Sequence, residues 1–109
     1  MVTLEMALVT DSEMELQQLT ALGDIYPNPA GNRATIPFSI GKDTKVEIAI
    51  FTASGKKLLT LASGNYKPGS YTVEWNIPVK IRSRSTASGI YFCKMITQDE
   101  VFVKKLIIK

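Results

Sequence analysis

Apolar and polar residues alternate along most of this chain with a period of two, the spacing of side chains that project to opposite faces of a β-strand. In ATIPFSI, residues 34–40, Ile36, Phe38 and Ile40 share one side, while Thr35, Pro37 and Ser39 share the other. KVEIAIF places Val46, Ile48 and Ile50 together, and SYTVEWN does the same for Tyr71, Val73 and Trp75. Three further β-prone runs are KKLLTLAS at 56–63, GIYFCKMIT at 89–97 and VFVKKLIIK at 101–109. Pro37 has no N–H to give to a ladder, so its strand is expected at a sheet edge or with a local bend.

Turn residues separate these runs. Gly31-Asn32, Gly41-Lys42-Asp43, Ala53-Ser54-Gly55 and Lys67-Pro68-Gly69 supply the positive or preset φ that tight turns need. Turn signals every 8–12 residues or so, without a long helical period, predict an all-β fold: an immunoglobulin-like antiparallel sandwich of about seven strands. Residues 24–109 form that domain. Residues 1–23 read differently. Leu4, Met6 and Leu8 alternate, Ser12 and Glu15 have the spacing of a capping box, and Gly23 offers a stop. This stretch is expected to be a strand or extended piece followed by a short helix or linker, or the end of a preceding domain. The connection from Asn76 to Ser88 is long and basic, and Lys80, Arg82 and Arg84 alternate along it, so an extended chain would project all three to one side.

Composition narrows the function classes. At 109 residues, 45% apolar and 21% charged, the chain is one globular domain that can bury a core without a disulfide or metal. The lone Cys93 excludes an internal disulfide and reads as a small buried hydrophobe. No histidine is present, which removes the commonest general base and metal ligand. No phosphate loop, cysteine cluster, nucleophile elbow or carboxylate dyad appears, so no enzyme activity, cofactor or metal is expected. Net charge is +3, yet residues 1–24 hold five acids and no base, leaving thirteen bases against five acids in the rest. That balance admits a nucleic-acid binder. Because the bases are scattered, a soluble domain with solvated lysines and no nucleic-acid partner is the preferred reading. No run approaches the ~20 apolar residues of a membrane span, so no membrane insertion is expected. The N-terminus lacks a basic leader and Glu5 interrupts its apolar run, so an export signal would lie upstream.

The last two runs form a hairpin. A turn centred on Asp99 would set Tyr91 opposite Ile107, Cys93 opposite Lys105 and Met95 opposite Val103 on one face. Ile90 and Ile108, Phe92 and Leu106, Lys94 and Lys104, and Ile96 and Phe102 would pair on the other. Both faces are mainly apolar, whereas a sandwich strand ordinarily keeps one face wet. Either the N-terminal segment covers the second face, or that face docks a partner or a second copy.

Five stretches, in order and ending at Lys109, together resemble the C-terminal sorting domains of the bacterial type IX secretion system (the Por secretion tail). DIYPNPAGNRATIPFSI resembles the family's opening Tyr-Pro-Asn-Pro motif and strand. VEIAIFTASGKKLLTL resembles its next hairpin, KPGSYTVEWN its Gly-x-x-x-Val-x-Trp strand, SGIYFCKM its Gly-x-Tyr strand and KKLIIK its Lys-rich terminal strand. The basic IPVKIRSRS departs from the Gly/Asp-rich turn usual after the tryptophan. The immunoglobulin-like module of flagellar hook-capping proteins shares fold and motifs, so fold alone does not separate the two roles. The resemblance implies a non-catalytic signal on a larger exported protein. Such a domain crosses the periplasm, is read by an outer-membrane translocon, and is removed in many cases by a sortase-like protease as cargo is attached at the cell surface. It implies recognition through Gly89, Tyr91, Lys104, Lys105, Leu106, Ile107, Ile108 and Lys109. Tyr26, Pro27, Asn28, Pro29, Gly55, Gly69 and Trp75 are implied as structural motif residues.

The residues themselves support parts of this reading. Pro27 and Pro29 stiffen the opening motif and Asn28 is suited to an Asx-turn. A terminal strand at a sheet edge can accept an added strand, with its lysines meeting partner acids. Two rival readings remain: a carbohydrate- or surface-binding module with an aromatic platform of Phe51, Tyr66, Phe92 and Phe102, and a structural module that forms a homodimer through the C-terminal hairpin.

Overall fold

The computed structural model describes residues 19–82 and 89–109. In chain order they form β1 (Ala21–Leu22), β2 (Arg33–Ile40), β3 (Thr44–Thr52), β4 (Lys57–Tyr66), β5 (Gly69–Asn76), a single helical turn α1 (Val79–Arg82), β6 (Ile90–Ile96) and β7 (Val101–Ile107). The strands make two antiparallel sheets, β1-β2-β5 and β4-β3-β6-β7, an all-β sandwich.

The period-two pattern places the core as expected. Ile36, Phe38 and Ile40 of β2, Val46, Ile48 and Ile50 of β3, and Trp75 of β5 are all buried between the sheets. Tyr91, Cys93 and Met95 of β6 and Leu106 of β7 join them. Each large aliphatic side chain buried this way contributes about 1.5–3 kcal/mol relative to exposure. Packed chain begins by Ala21, because Leu22 lies in the core and β1 pairs with Phe38 and Ser39 of β2. The expected capping box and alternation within residues 1–18 lie outside the described residues, as does Arg84.

Three local expectations change. Pro37 sits in the middle of β2, which has β1 on one side and β5 on the other. The proline is tolerated because its outward side faces the break between β1 and the later Tyr26–Thr35 bridge. There its carbonyl accepts from Gly23 N–H at 2.7 Å, and no N–H is required of it. The basic connection is not extended over Val79–Arg82. Ile81 and Arg82 N–H groups both donate to the Pro78 carbonyl, winding one helical turn that separates Lys80 from Arg82. A proline at a helix start costs nothing because its missing N–H would be unpaired there anyway.

The third change is the register of the final hairpin. Tyr91 lies opposite Leu106, Cys93 opposite Lys104, Lys94 opposite Val103 and Met95 opposite Phe102, one residue away from a turn centred on Asp99. Thr97 sets this register. Its N–H donates to the Glu100 carbonyl at 2.9 Å, and its hydroxyl accepts from the N–H groups of Asp99 and Glu100 at 3.2 and 3.0 Å. The loop is therefore Gln98-Asp99, with its centre between those two residues. A one-residue slip exchanges the faces of a strand. Phe102, Leu106 and Ile108 turn inward, while Val101, Val103, Lys105 and Ile107 turn outward. The expected like-charge pair of Lys94 and Lys104 does not form.

Candidate recognition surface

The terminal ribbon begins at Gly89, whose φ is +59°. This left-handed conformation suits glycine, and here the missing side chain also makes room. A Cβ at Gly89 would stand 2.7 Å from the Ile108 carbonyl oxygen. The Gly89 carbonyl in turn accepts from Ile108 N–H at 2.8 Å, extending the β6–β7 ladder past the end of β7. Tyr91, two residues on, is buried opposite Leu106.

β7 is the edge strand of its sheet, but half of its free edge is closed. The Asn28 side chain spans that edge like a short piece of strand. Its Nδ2 donates to the Lys105 carbonyl at 3.0 Å and its Oδ1 accepts from Ile107 N–H at 3.0 Å. Ala30 continues the closure: its N–H donates to the Ile107 carbonyl at 2.7 Å and its carbonyl accepts from Lys109 N–H at 2.9 Å. The opening motif thus latches the chain's last residues. Both Tyr26-Pro27 and Asn28-Pro29 are cis. No Asx-turn was needed of Asn28; its partners lie 77 and 79 residues away, and no local signal points to them.

The remaining recognition candidates separate by face. Leu106 is fully buried and Ile108 nearly so. Ile107 is half-buried on the outward face, and Lys105 and Lys109 are exposed. Lys104 is half-buried and reaches Asp24 with an Nζ to Oδ1 distance of 3.0 Å. Val101 and Val103, absent from the candidates, are 61% and 50% exposed on the outward face. Beside them lie the half-buried Ile90, Phe92 and Ile96, and Lys94, whose Nζ is 4.5 Å from the centroid of the Phe51 ring. The surface is an apolar strip with Lys94 in its middle, opposite Val103, and Lys105 on the edge strand. Whether the N-terminal segment covers it lies outside the described residues.

The structural motif residues hold the frame. Gly55 takes a φ of +98° in the β3–β4 turn and donates to the Thr52 carbonyl. Gly69 opens β5 opposite Ile40, and Trp75 is buried opposite Ala34. The supposed aromatic platform is dispersed. Phe51 and Phe92 are cross-strand neighbours on the outward face, Phe102 turns inward opposite Met95, and Tyr66 packs edge-on against Phe38 and Tyr71 elsewhere. An apolar cleft of about 370 Å³ between Leu58, Leu59, Ile81 and Tyr91 carries only Lys80 as a charge. Among the described residues, no helix is long and apolar enough to cross a membrane.

Two results follow from these contacts. Burial pushes the Cys93 thiol up to about 12. Native protein at pH 8 should therefore leave a thiol reagent unconsumed, with full reaction only after unfolding, since the thiolate is the reactive form. Asn28→Ala removes both latch bonds, each worth roughly 0.5–1.5 kcal/mol. Urea unfolding should show a loss of about 1–2 kcal/mol, and the Ile107 amide should lose its protection from hydrogen exchange first.

Fold and surface together define a small β-sandwich whose distinguishing feature is a latched, lysine-bearing terminal ribbon. The family profile of the secretion system C-terminal sorting domain matches residues 24–109. The chain belongs to that family: it is a C-terminal sorting signal for type IX secretion. Members of this family are sorting signals, not catalysts, and they mark proteins for export to the cell surface or extracellular space by the secretion machinery. Among solved structures, the chain is similar to dimeric latent PorU from Porphyromonas gingivalis, with a TM-score of 0.61 at 14% identity. The similarity covers 84% of this chain and 9% of that one, and at this identity it shows the fold alone. No curated protein matches the chain.

Proposed function

We propose that this chain is the non-catalytic address label at the C-terminus of a larger exported protein. It folds in the periplasm, is read by the outer-membrane translocon through its terminal ribbon, and leads its cargo to the cell surface or outside the cell. A sortase-like protease then separates label from cargo, with the junction within residues 1–23 and ahead of Ala21, where packed chain has begun. Residues 24–109 act as the recognised unit, immunoglobulin-like in its pairing of two antiparallel sheets.

The observation that carries this reading is the combination at β7. The strand is latched by Asn28 and Ala30, so its display is fixed, yet Val101, Val103 and Lys105 face solvent. A fixed apolar strip carrying a few lysines suits protein docking, where preorganisation reduces the ordering cost of binding. A homodimer through the same ribbon is the competing use of that surface, and sedimentation across a concentration series separates the two.

The test is a fusion of the whole chain to the C-terminus of a periplasm-targeted reporter in a type IX-competent host. The reporter should appear at the cell surface or in the medium. Retention in the periplasm at the level of the unfused reporter would overturn the reading.

A further inference from the structure

We propose that the open stretch of β7, from Val101 to Lys105, receives an added β-strand from an extended partner segment with an acid-x-apolar-x-apolar pattern. This deepens the sorting reading and rests on it for the partner's biological role, but the binding itself is tested independently.

The backbone supplies the first argument. On β7 the groups of Lys105 and Ile107 that meet Asn28 and Ala30 point away from β6. Residues two apart on a strand point the same way, so the N–H and carbonyl of Val103, the carbonyl of Val101 and the N–H of Lys105 also point away from β6. Among the described residues nothing pairs with them. The chain thus spends an asparagine side chain and a backbone segment on closing one half of this edge and leaves the other half open. An open edge is a template for strand addition.

Side chains supply the second. An antiparallel strand would place its residues beside Lys105, Val103 and Val101 in turn on the outward face. The first position meets an exposed ammonium, and the next two meet exposed valines. An acid followed at alternate positions by two apolar residues matches all three. Lys104, whose side chain leaves the opposite face, is already engaged by Asp24 and adds no demand. The body behind this edge carries thirteen bases against five acids from residue 25 onward, which draws an acidic segment and opposes a second copy.

The experiment uses the full chain and a peptide probe, acetyl-Thr-Glu-Thr-Val-Thr-Val-Thr-amide, with a version carrying Lys in place of Glu as control. Hydrogen exchange of individual amides is followed by NMR at low and high salt. Saturating acidic peptide should slow exchange at Val103 and Lys105 by about tenfold or more, with a weaker effect at high salt. The Lys peptide should do little. Val103→Pro removes an N–H that β6 does not use, so the variant should keep its fold by circular dichroism and lose the protection at Lys105. Val103→Thr should retain it. No slowing with the acidic peptide, equal slowing with both peptides, or slowing that appears with rising protein concentration alone would each overturn the proposal. Export is not read in this experiment. A chain that binds the probe but fails to export its reporter refutes the sorting reading, and the converse refutes the added strand.

Discussion

Replacing Leu106 by alanine should destabilise the sandwich by about 2–5 kcal/mol, the range for a buried leucine that leaves a cavity. Leu106 is fully buried and lies opposite Tyr91, between the ribbon and the rest of the core. Its position makes the effect more than local. It is the largest fully buried side chain contributed by β7, and the strand's other inward residues are the half-buried Phe102 and Lys104. Losing it removes the main apolar hold on the terminal strand while leaving every outward side chain unchanged. Urea unfolding should show the loss in its midpoint, and amide exchange should show β7 opening before β2 and β3. Export of a fused reporter should fall with it. A change below about 1 kcal/mol would mean that the ribbon is held chiefly by its backbone bonds.

Gly89→Ala should be nearly as damaging, on the order of 3 kcal/mol. Two costs combine. Alanine at a φ of +59° takes on the left-handed penalty of about 1–2 kcal/mol. Its Cβ would also stand 2.7 Å from the Ile108 carbonyl oxygen, which is backbone and cannot rotate aside. The chain must shift, and the Gly89–Ile108 and Ala30–Lys109 bonds lie in the path of that shift. Thermal melting together with exchange at Ile108 and Lys109 checks this. Gly55→Ala is the comparison: its φ is also positive, at +98°, but a Cβ there meets nothing within 4 Å. Because +98° lies outside the left-handed basin that +59° occupies, alanine at Gly55 carries the larger backbone penalty. A Gly89→Ala loss above that of Gly55→Ala must therefore come from the close approach at Ile108. A Gly89→Ala loss of only about 1–2 kcal/mol would mean that the approach contributes nothing.

These residues show what a sequence can and cannot disclose. The core was legible because half-buried strands alternate, so Ile36, Phe38, Ile40, Val46, Ile48 and Ile50 could be assigned to one interior. The same rule failed at β7 because VFVKKLII is apolar on both faces and the pattern has no preference for either register. The choice fell to the Thr97 hydroxyl, which caps a two-residue loop that carries no Asn-Gly or Asp-Gly signal. Val101 and Val103 were missed as surface residues for that reason. Asn28 was recognised as a motif residue, but a side chain that bonds 77 to 79 residues away leaves no local trace. Pro37 was expected at an edge or a bend, yet a central strand can hold a proline where its neighbour asks only for a carbonyl, and nothing short of the break after β1 reveals that.

The latch, the glycine and the outward valines all bear on the proposal that the ribbon is read as a folded surface. The most direct test is export of a reporter fused to the chain carrying Val101→Glu and Val103→Glu together. Both side chains are exposed and outside the core, so the melting temperature should stay within about 3 °C of the parent chain. Export should nevertheless drop by about tenfold or more, since two central apolar contacts become acids. A stable double variant that exports its reporter at the parent level would contradict the account.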